Sequence, residues 1–275
     1  MTMSTFTGRT GAELHFDSVG TGMPFVALHG AYSAHHEIRS VFEPILAPLD
    51  AHRRLYPDLP GMGDSPRHDG VRSTRDVVDL LDEFVDGEIG DAPFLLAGHS
   101  YGGHLARGLA ARRAGQVAGL ALLCPMMPGM MHAEAHSVIA SSGDPVEWLE
   151  PGLVDEYTGY FVIHSPATAE RFRDAVAPVI GRFDGEAVER VMTDWTLDPD
   201  PDTVRFDGPT LVVAARHDSF VGYRDQATLL DTYPDASLAV IADAGHALPH
   251  EHPELLGTLI LDWMRRCAHG SSPAR

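Results

Sequence analysis

Leu95-Leu96-Ala97-Gly98-His99-Ser100-Tyr101-Gly102-Gly103 is an apolar run that ends in Gly-x-Ser-x-Gly and opens directly into a helical pattern. Gly98 and Gly102 lack the Cβ atoms that would collide where a strand reverses tightly into a helix. Ser100 is therefore expected on a strained turn with its hydroxyl exposed. The five-residue pattern alone is weak, and its flanks carry the argument. Pro93–Ala97 reads as a short buried strand, and Gly103–Arg113, rich in small residues, as a helix that packs closely on a sheet.

Working outward, strand-like pieces precede this stretch at Thr5–Thr7, Glu13–Asp17, Pro24–Leu28 and Arg53–Asp58, and follow it at Val117–Cys124, Thr210–Ala215 and Ser237–Ala242. The first two, separated by a Gly-containing turn, predict a hairpin at a sheet edge. Helical patterns lie between the others. Ser33–Leu49 places Ile38, Val41, Phe42, Ile45 and Leu46 on one face. Ser73 caps a helix that turns Val77, Val78, Leu81, Phe84 and Val85 inward and ends at Gly90. Gly222–Thr232 and Pro253–Cys267 complete the set. Strands alternating with helices predict an α/β fold, a mostly parallel eight-stranded sheet covered by helices on both faces. Residues 126–206 break the rhythm with three helix-like pieces, Pro145–Val162, Pro166–Phe183 and Gly185–Leu197, and no convincing strand. They read as a helical cap inserted into a core formed by 1–125 and 207–268, with 269–275 a disordered tail.

At 275 residues the chain suits one large α/β domain with an insertion. A formal charge of −19 opposes nucleic acid and anionic membrane surfaces, which need clustered cations, so a small-molecule substrate is the expected partner. The sequence is silent on oligomeric state. All 20 cationic residues are Arg, a bias that fits a GC-rich genome better than a function. Cys124 and Cys267 lie far apart, which argues against a disulfide. Met1–Phe6 has neither a basic start nor an apolar stretch, and no window reaches membrane-spanning length, so a soluble cytoplasmic protein is expected. Phosphate loops and dinucleotide fingerprints are missing, and His132, His136 and His164 share no spacing with carboxylates or thiolates that suits zinc. Neither cofactor nor metal is expected.

A serine hydroxyl needs a base to take its proton, and the base works best when a carboxylate fixes its tautomer. Asp218 closes Leu211-Val212-Val213-Ala214-Ala215-Arg216-His217-Asp218, and His246 closes Val240-Ile241-Ala242-Asp243-Ala244-Gly245-His246. Both fall just past the carboxyl ends of strands, on the rim where ligands gather in a parallel sheet, and Ser100 shares that rim. Asp243 and Asp225 compete for the acid's role, although Asp225 falls inside a helical pattern. His250 and His252 compete for the base's role from a Pro-containing loop expected to face solvent. Ser100 could instead be an ordinary helix cap. Cys124 reads as a small buried hydrophobe.

The chain from about Phe6 to Met264 resembles the α/β-hydrolase fold superfamily in four ordered motifs. His29-Gly30-Ala31-Tyr32 is similar to its His-Gly oxyanion element, and Asp58-Leu59-Pro60-Gly61-Met62-Gly63-Asp64-Ser65 to the Gly-rich loop after the next strand. The Ser100 turn is the third. Ala244-Gly245-His246 with Glu251-His252-Pro253-Glu254 is similar to the histidine loop and the start of the final helix. The resemblance implies a cofactor-free serine hydrolase in which Ser100, Asp218 and His246 form a triad, in the family's chain order. It also implies an oxyanion hole from the backbone N–H groups of Ala31 and Tyr101.

Tyr32, His99, Met127 and Trp148 are the expected substrate-pocket residues, with His29 and His99 as hydrogen-bonding groups of its floor. Met126, Met127, Met130 and Met131, with Trp148, Tyr157, Tyr160 and Phe161, suit either an adaptable apolar pocket or the glue between cap and core. Arg171, Arg173 and Arg182 are available as carboxylate clamps, none of them singled out. The expected reaction is hydrolysis of a carboxylic ester, or of a lactone or thioester, on a small to medium, moderately apolar substrate through an acyl-enzyme. The alternatives on the same fold are carbon–carbon bond hydrolysis, peracid formation and ligand binding without turnover. An Asp nucleophile is excluded by Ser100.

Overall fold

The computed structural model describes residues 3–129 and 132–270. In chain order its strands are β1 (Ser4–Thr7), β2 (Glu13–Val19), β3 (Met23–Leu28), β4 (His52–Pro57), β5 (Phe94–His99), β6 (Val117–Leu123), β7 (Ala140–Ser141), β8 (Ile163–His164), β9 (Thr210–Ala215) and β10 (Ala236–Ile241). Its α-helices are α1 (His35–Leu46), α2 (Thr74–Glu88), α3 (Tyr101–Arg112), α4 (Pro151–Tyr160), α5 (Pro166–Arg171), α6 (Gly185–Met192), α7 (Leu229–Thr232), α8 (Leu248–Glu251) and α9 (Pro253–Gly270). The main sheet has eight strands in the order β1-β2-β4-β3-β5-β6-β9-β10. Only the two pairs that involve β2 are antiparallel.

Every residue of β5 and β9 is buried, because helices cover both faces of the sheet and leave no solvent side for polar residues. Alternation still sorts the side chains. Leu95 and Ala97 join Ile38 and Phe42 of α1 and Ile260 and Trp263 of α9 on one face. Phe94 and Leu96 join Val78 and Phe84 of α2 and Leu105 and Leu109 of α3 on the other. Ser73 begins α2 as expected, in a reciprocal capping box with Asp76.

The insertion between β6 and β9 is more broken than the sequence pattern predicts. Pro145–Val162 divides into a 3-10 turn over Pro145–Glu147 and α4, which restarts at Pro151. The Pro166–Phe183 piece holds α5, a π-type turn over Phe172–Val176 and a 3-10 turn over Ala177–Val179, where Pro178 supplies no N–H to continue a helix. A two-residue parallel pair, β7 with β8, stands where no strand was expected. Gly222–Thr232 is likewise a 3-10 turn over Asp225–Thr228 followed by the short α7. At the carboxyl end α9 runs through Gly270, so 269 and 270 are helical rather than part of a disordered tail, and 271–275 lie outside the described residues.

From α6 the chain returns to β9 along the length of α3. The Trp195 carbonyl accepts from His104 Nε2 at 3.1 Å, Leu197 fills the space left open by Gly108, the Asp198 carbonyl accepts from Arg112 Nε at 3.0 Å, and Asp202 pairs with buried Arg107. Just before α6, the insertion is tied to the loop after β4: Gly61 and Gly63 adopt positive φ and exchange backbone hydrogen bonds with Asp184 and Arg182, each at 2.7 Å. A side chain at Gly63 would occupy the place of the Asp58 carboxylate.

A third attachment is a hydrogen bond to a buried carboxylate. Glu37 of α1 is buried and accepts from Tyr160 Oη of α4 at 3.3 Å, from His250 Nε2 at 3.2 Å and from the Ser33 hydroxyl. Burial pushes its carboxyl up, but the hydrogen bond and charge of His250, with His99 and Ser33, outweigh burial and bring it from 4.5 down to about 2.

Two outcomes are expected. Gly102→Ala, whose Cβ would overlap the Leu28 and His29 carbonyl oxygens, lowers stability by about 3 kcal/mol or more in denaturant titration, because backbone cannot retreat as a side chain can. For Glu37→Gln, the wild-type advantage in Tm is full above pH 4.5 and closes as pH falls toward 2, since a carboxyl depressed in the folded state loses its contribution on protonation. A gap in Tm that stays constant across that range contradicts the assignment.

Candidate active site

Ser100 links β5 to α3 at φ 54° and ψ −118°, a conformation that L-residues avoid. Its surroundings leave no other choice. The Ser100 N–H donates to the Leu123 carbonyl at 3.0 Å, and its carbonyl accepts from Gly103 at 2.9 Å, His104 at 3.3 Å and Met126 at 2.9 Å. A Cβ on Gly98 would strike the Gly102 carbonyl, so neither glycine of the motif can be replaced without moving backbone. Tyr101 is the first residue of α3, and its N–H therefore has no partner within the helix and lies at the positive end of the helix dipole.

Ala31 follows β3 in the turn His29-Gly30-Ala31-Tyr32. His29 fixes that turn. Its Nδ1 donates to the Gly30 carbonyl at 2.7 Å and its Nε2 accepts the Leu59 N–H at 2.9 Å, which requires a neutral ring of one tautomer. Burial lowers the pKa of His29 in the same sense, against the pull of Asp58. Gly30 lies so close to the elbow that a Cβ there would sit 3.4 Å from Ser100 Cβ, which brings the Ala31 loop beside the serine.

Asp218 and His246 meet. His246 Nδ1 lies 2.7 Å from Asp218 Oδ2, while Asp218 Oδ1 accepts the N–H groups of Phe220 and Val221 at 2.9 Å each. Asp218 thus caps its own turn and orients the histidine with one carboxylate. Burial pushes its carboxyl up, but the charge and hydrogen bond of His246 and the two N–H groups prevail and hold it below the ordinary range. An ionised Asp218 accepts from Nδ1–H, and in a neutral imidazole that tautomer has Nε2 as the acceptor. Two tilted rings pack on the imidazole, His99 at 4.8 Å between ring centres and Phe220 at 5.0 Å. Behind Asp218, the fully buried Cys124 thiol is pushed well up, by burial first and then by Asp218, and is no candidate nucleophile.

The competing residues lie elsewhere. Asp225 pairs with His132, and exposed Asp243 pairs with His252. His250 does not face solvent as expected. It is buried against Glu37, a partner on a distant helix that the local sequence gives no sign of. Of the four expected pocket residues, His99 lies beside His246. Tyr32 is 41% exposed and meets Phe183 of the insertion edge-on at 5.1 Å. Met127 is packed in the core with Leu105 and Leu109, and Trp148 lies against Gly143 and the insertion's own apolar cluster, so these two serve the packing role. The cap arginines are engaged: Arg171 with the His250 carbonyl and Glu254, Arg173 with Asp174, Arg182 with Asp64. Sequence reasoning missed Phe220, the aromatic face on His246. The available signal was its place two residues after the candidate acid.

Comparison with known proteins shows the family. Residues 25–257 match the model of the alpha/beta hydrolase family. Over 163 residues the chain is 30% identical to a pimeloyl-acyl-carrier-protein methyl ester esterase of Shewanella woodyi, a match that spans 58% of this chain and about half of the esterase, 55%. It is 26% identical over 234 residues, 81% of this chain and 85% of the relative, to a Variovorax paradoxus protein named as a carbamate hydrolase, RutD. Among solved structures, an alpha/beta superfamily hydrolase of Oenococcus oeni PSU-1 superposes with a TM-score of 0.87 over 97% of this chain and 100% of its own, at 22% identity. The sheet order, the serine elbow and the family match lead to one conclusion: the chain belongs to the alpha/beta hydrolase family.

Proposed function

We propose that this protein is a serine hydrolase that cleaves a carboxylic ester through an acyl-enzyme on Ser100. The observation that carries the proposal is the 2.7 Å contact between His246 and Asp218 at the rim where Ser100 is held at φ 54°. His246 Nε2 takes the Ser100 proton as Oγ attacks the ester carbonyl, and the charge that develops on the oxygen is met by the N–H groups of Tyr101 and Ala31. The protonated imidazole, stabilised by Asp218, then returns the proton to the leaving alcohol. Water attacks the acyl-enzyme by the same route in reverse and frees the acid.

The printed names of the two relatives support acyl transfer to water, one on a methyl ester and the other on a carbamate. The half-open rings of Tyr32 and Phe220, 41% and 52% exposed, support a substrate with apolar surface.

A fluorophosphonate is expected to label Ser100, and Ser100→Ala to abolish both labelling and hydrolysis across a panel of methyl, aryl and carbamate substrates, with Tm little changed. Labelling without turnover on any substrate would instead indicate a ligand-binding protein. Unchanged hydrolysis in Ser100→Ala would defeat the serine mechanism. Asp218→Asn is expected to reduce kcat by about 10⁴-fold while preserving the fold, because the amide favours the wrong tautomer of His246. Near-native turnover in that variant moves the acid's role to another carboxylate.

A further inference from the structure

Three buried side chains beside the triad have no step in this chemistry: Glu37, His99 and Glu251. Glu37 is accounted for by the attachment of the insertion. The other two converge on one residue.

Glu251 of α8 accepts three backbone N–H groups. Its Oε2 takes Gly245 at 2.7 Å, and its Oε1 takes Val162 at 2.7 Å and Ile163 at 3.2 Å. Gly245 immediately precedes His246, and a Cβ there would strike Val162, so the carboxylate holds the histidine loop and the insertion in direct contact. On the far side of the same residue, the His246 carbonyl faces His99 Nε2 at 3.2 Å. A carbonyl has no proton to give, so His99 Nε2 carries the hydrogen and donates. His99 is neutral, its pKa brought down to about 3 by burial first and then by the neighbouring His246, so the tautomer is fixed.

We propose that Glu251 and His99 are positioning residues for the general base, Glu251 holding the Gly245 N–H one residue before His246 and His99 the carbonyl of His246 itself, and, through Glu251, tying the placement of the imidazole to the seating of the insertion. This rests on the reading of His246 as the base. The three catalytic side chains come from separate loops, so the angle of the imidazole depends on the backbone that carries it. A hydrogen bond to Asp218 fixes one ring atom only, and rotation about that bond would still swing Nε2 away from Ser100. Fixing the Gly245 N–H and the His246 C=O narrows that freedom.

Glu251→Gln separates the two attachments. A glutamine has one acceptor oxygen, which satisfies more donors when turned toward Val162 and Ile163, and its NH₂ then opposes the Gly245 N–H. The insertion stays seated and the histidine loop loses its clamp. His99→Phe retains a ring against His246 and removes the Nε2 donor together with Nδ1.

In each variant kcat is expected to fall about 10- to 100-fold with KM within about 2-fold of wild type, the loss typical of a misplaced catalytic group. The downfield proton resonance of the His246–Asp218 hydrogen bond is expected to shift or broaden in both. A role confined to packing would lower Tm and leave the resonance and kcat of the folded protein untouched. Wild-type kcat and an unmoved resonance in both variants overturn the proposal. Should Glu251→Gln fail to fold, His99→Phe decides alone by the same readouts. If the wild type hydrolyses no ester, the catalytic reading fails, while the resonance still decides whether the two residues set the imidazole.

Discussion

The backbone of α3 is pressed against the carboxyl ends of β3 and β5 so closely that Gly102 touches the Leu28 and His29 carbonyls and Gly98 touches Gly102 itself. That approach is the constraint on which the site depends. With no room for a relaxed turn, Ser100 takes the only conformation left, and the first N–H of the helix is exposed at the sheet rim beside it. The parallel sheet then does the rest. Since β3, β5 and β9 all point the same way, the loops that carry Ala31, Ser100 and Asp218 leave from one edge.

Around that edge, buried carboxylates hold the loops. Asp58 receives the N–H groups of His35 and Asp64, Asp218 those of Phe220 and Val221, and Glu251 those of Val162, Ile163 and Gly245. Loops that come together without secondary structure leave unpaired donors, and a buried carboxylate satisfies several at once. Asp218 differs in leaving its second oxygen for His246 Nδ1, so the carboxylate that holds its own loop also holds the imidazole.

The core of this fold is legible in its sequence because strands buried on both faces are apolar along nearly all their length, as in Phe94–His99 and Thr210–Ala215, and because a glycine pair around a serine has few other uses. The pairing of Asp218 with His246 could be anticipated from strand ends alone. The insertion resisted reading, since Pro151 and Pro178 cut runs whose apolar spacing still looked helical, and a two-residue pair such as β7–β8 has no periodicity to detect. His250, Glu37 and Glu251 were opaque for a different reason. Each is a polar residue whose burial is set by a partner far along the chain, and polarity in a single sequence reads as exposure.

The return of the chain along α3 limits how this protein could be rebuilt. Strands β6 and β9 are parallel neighbours, so whatever joins them must travel from the carboxyl end of one to the amino end of the other, about 20 Å for strands of this length. Residues 193–209 make that journey while supplying Leu197 to Gly108, Asp202 to Arg107 and the Trp195 carbonyl to His104. They serve as the crossover of a βαβ unit in extended form and belong mechanically to the sheet. The part free to be exchanged, by recombination or by design, therefore ends near Met192. A graft that also replaced 193–209 would uncover buried Arg107 and the flank of the helix that follows the Ser100 turn.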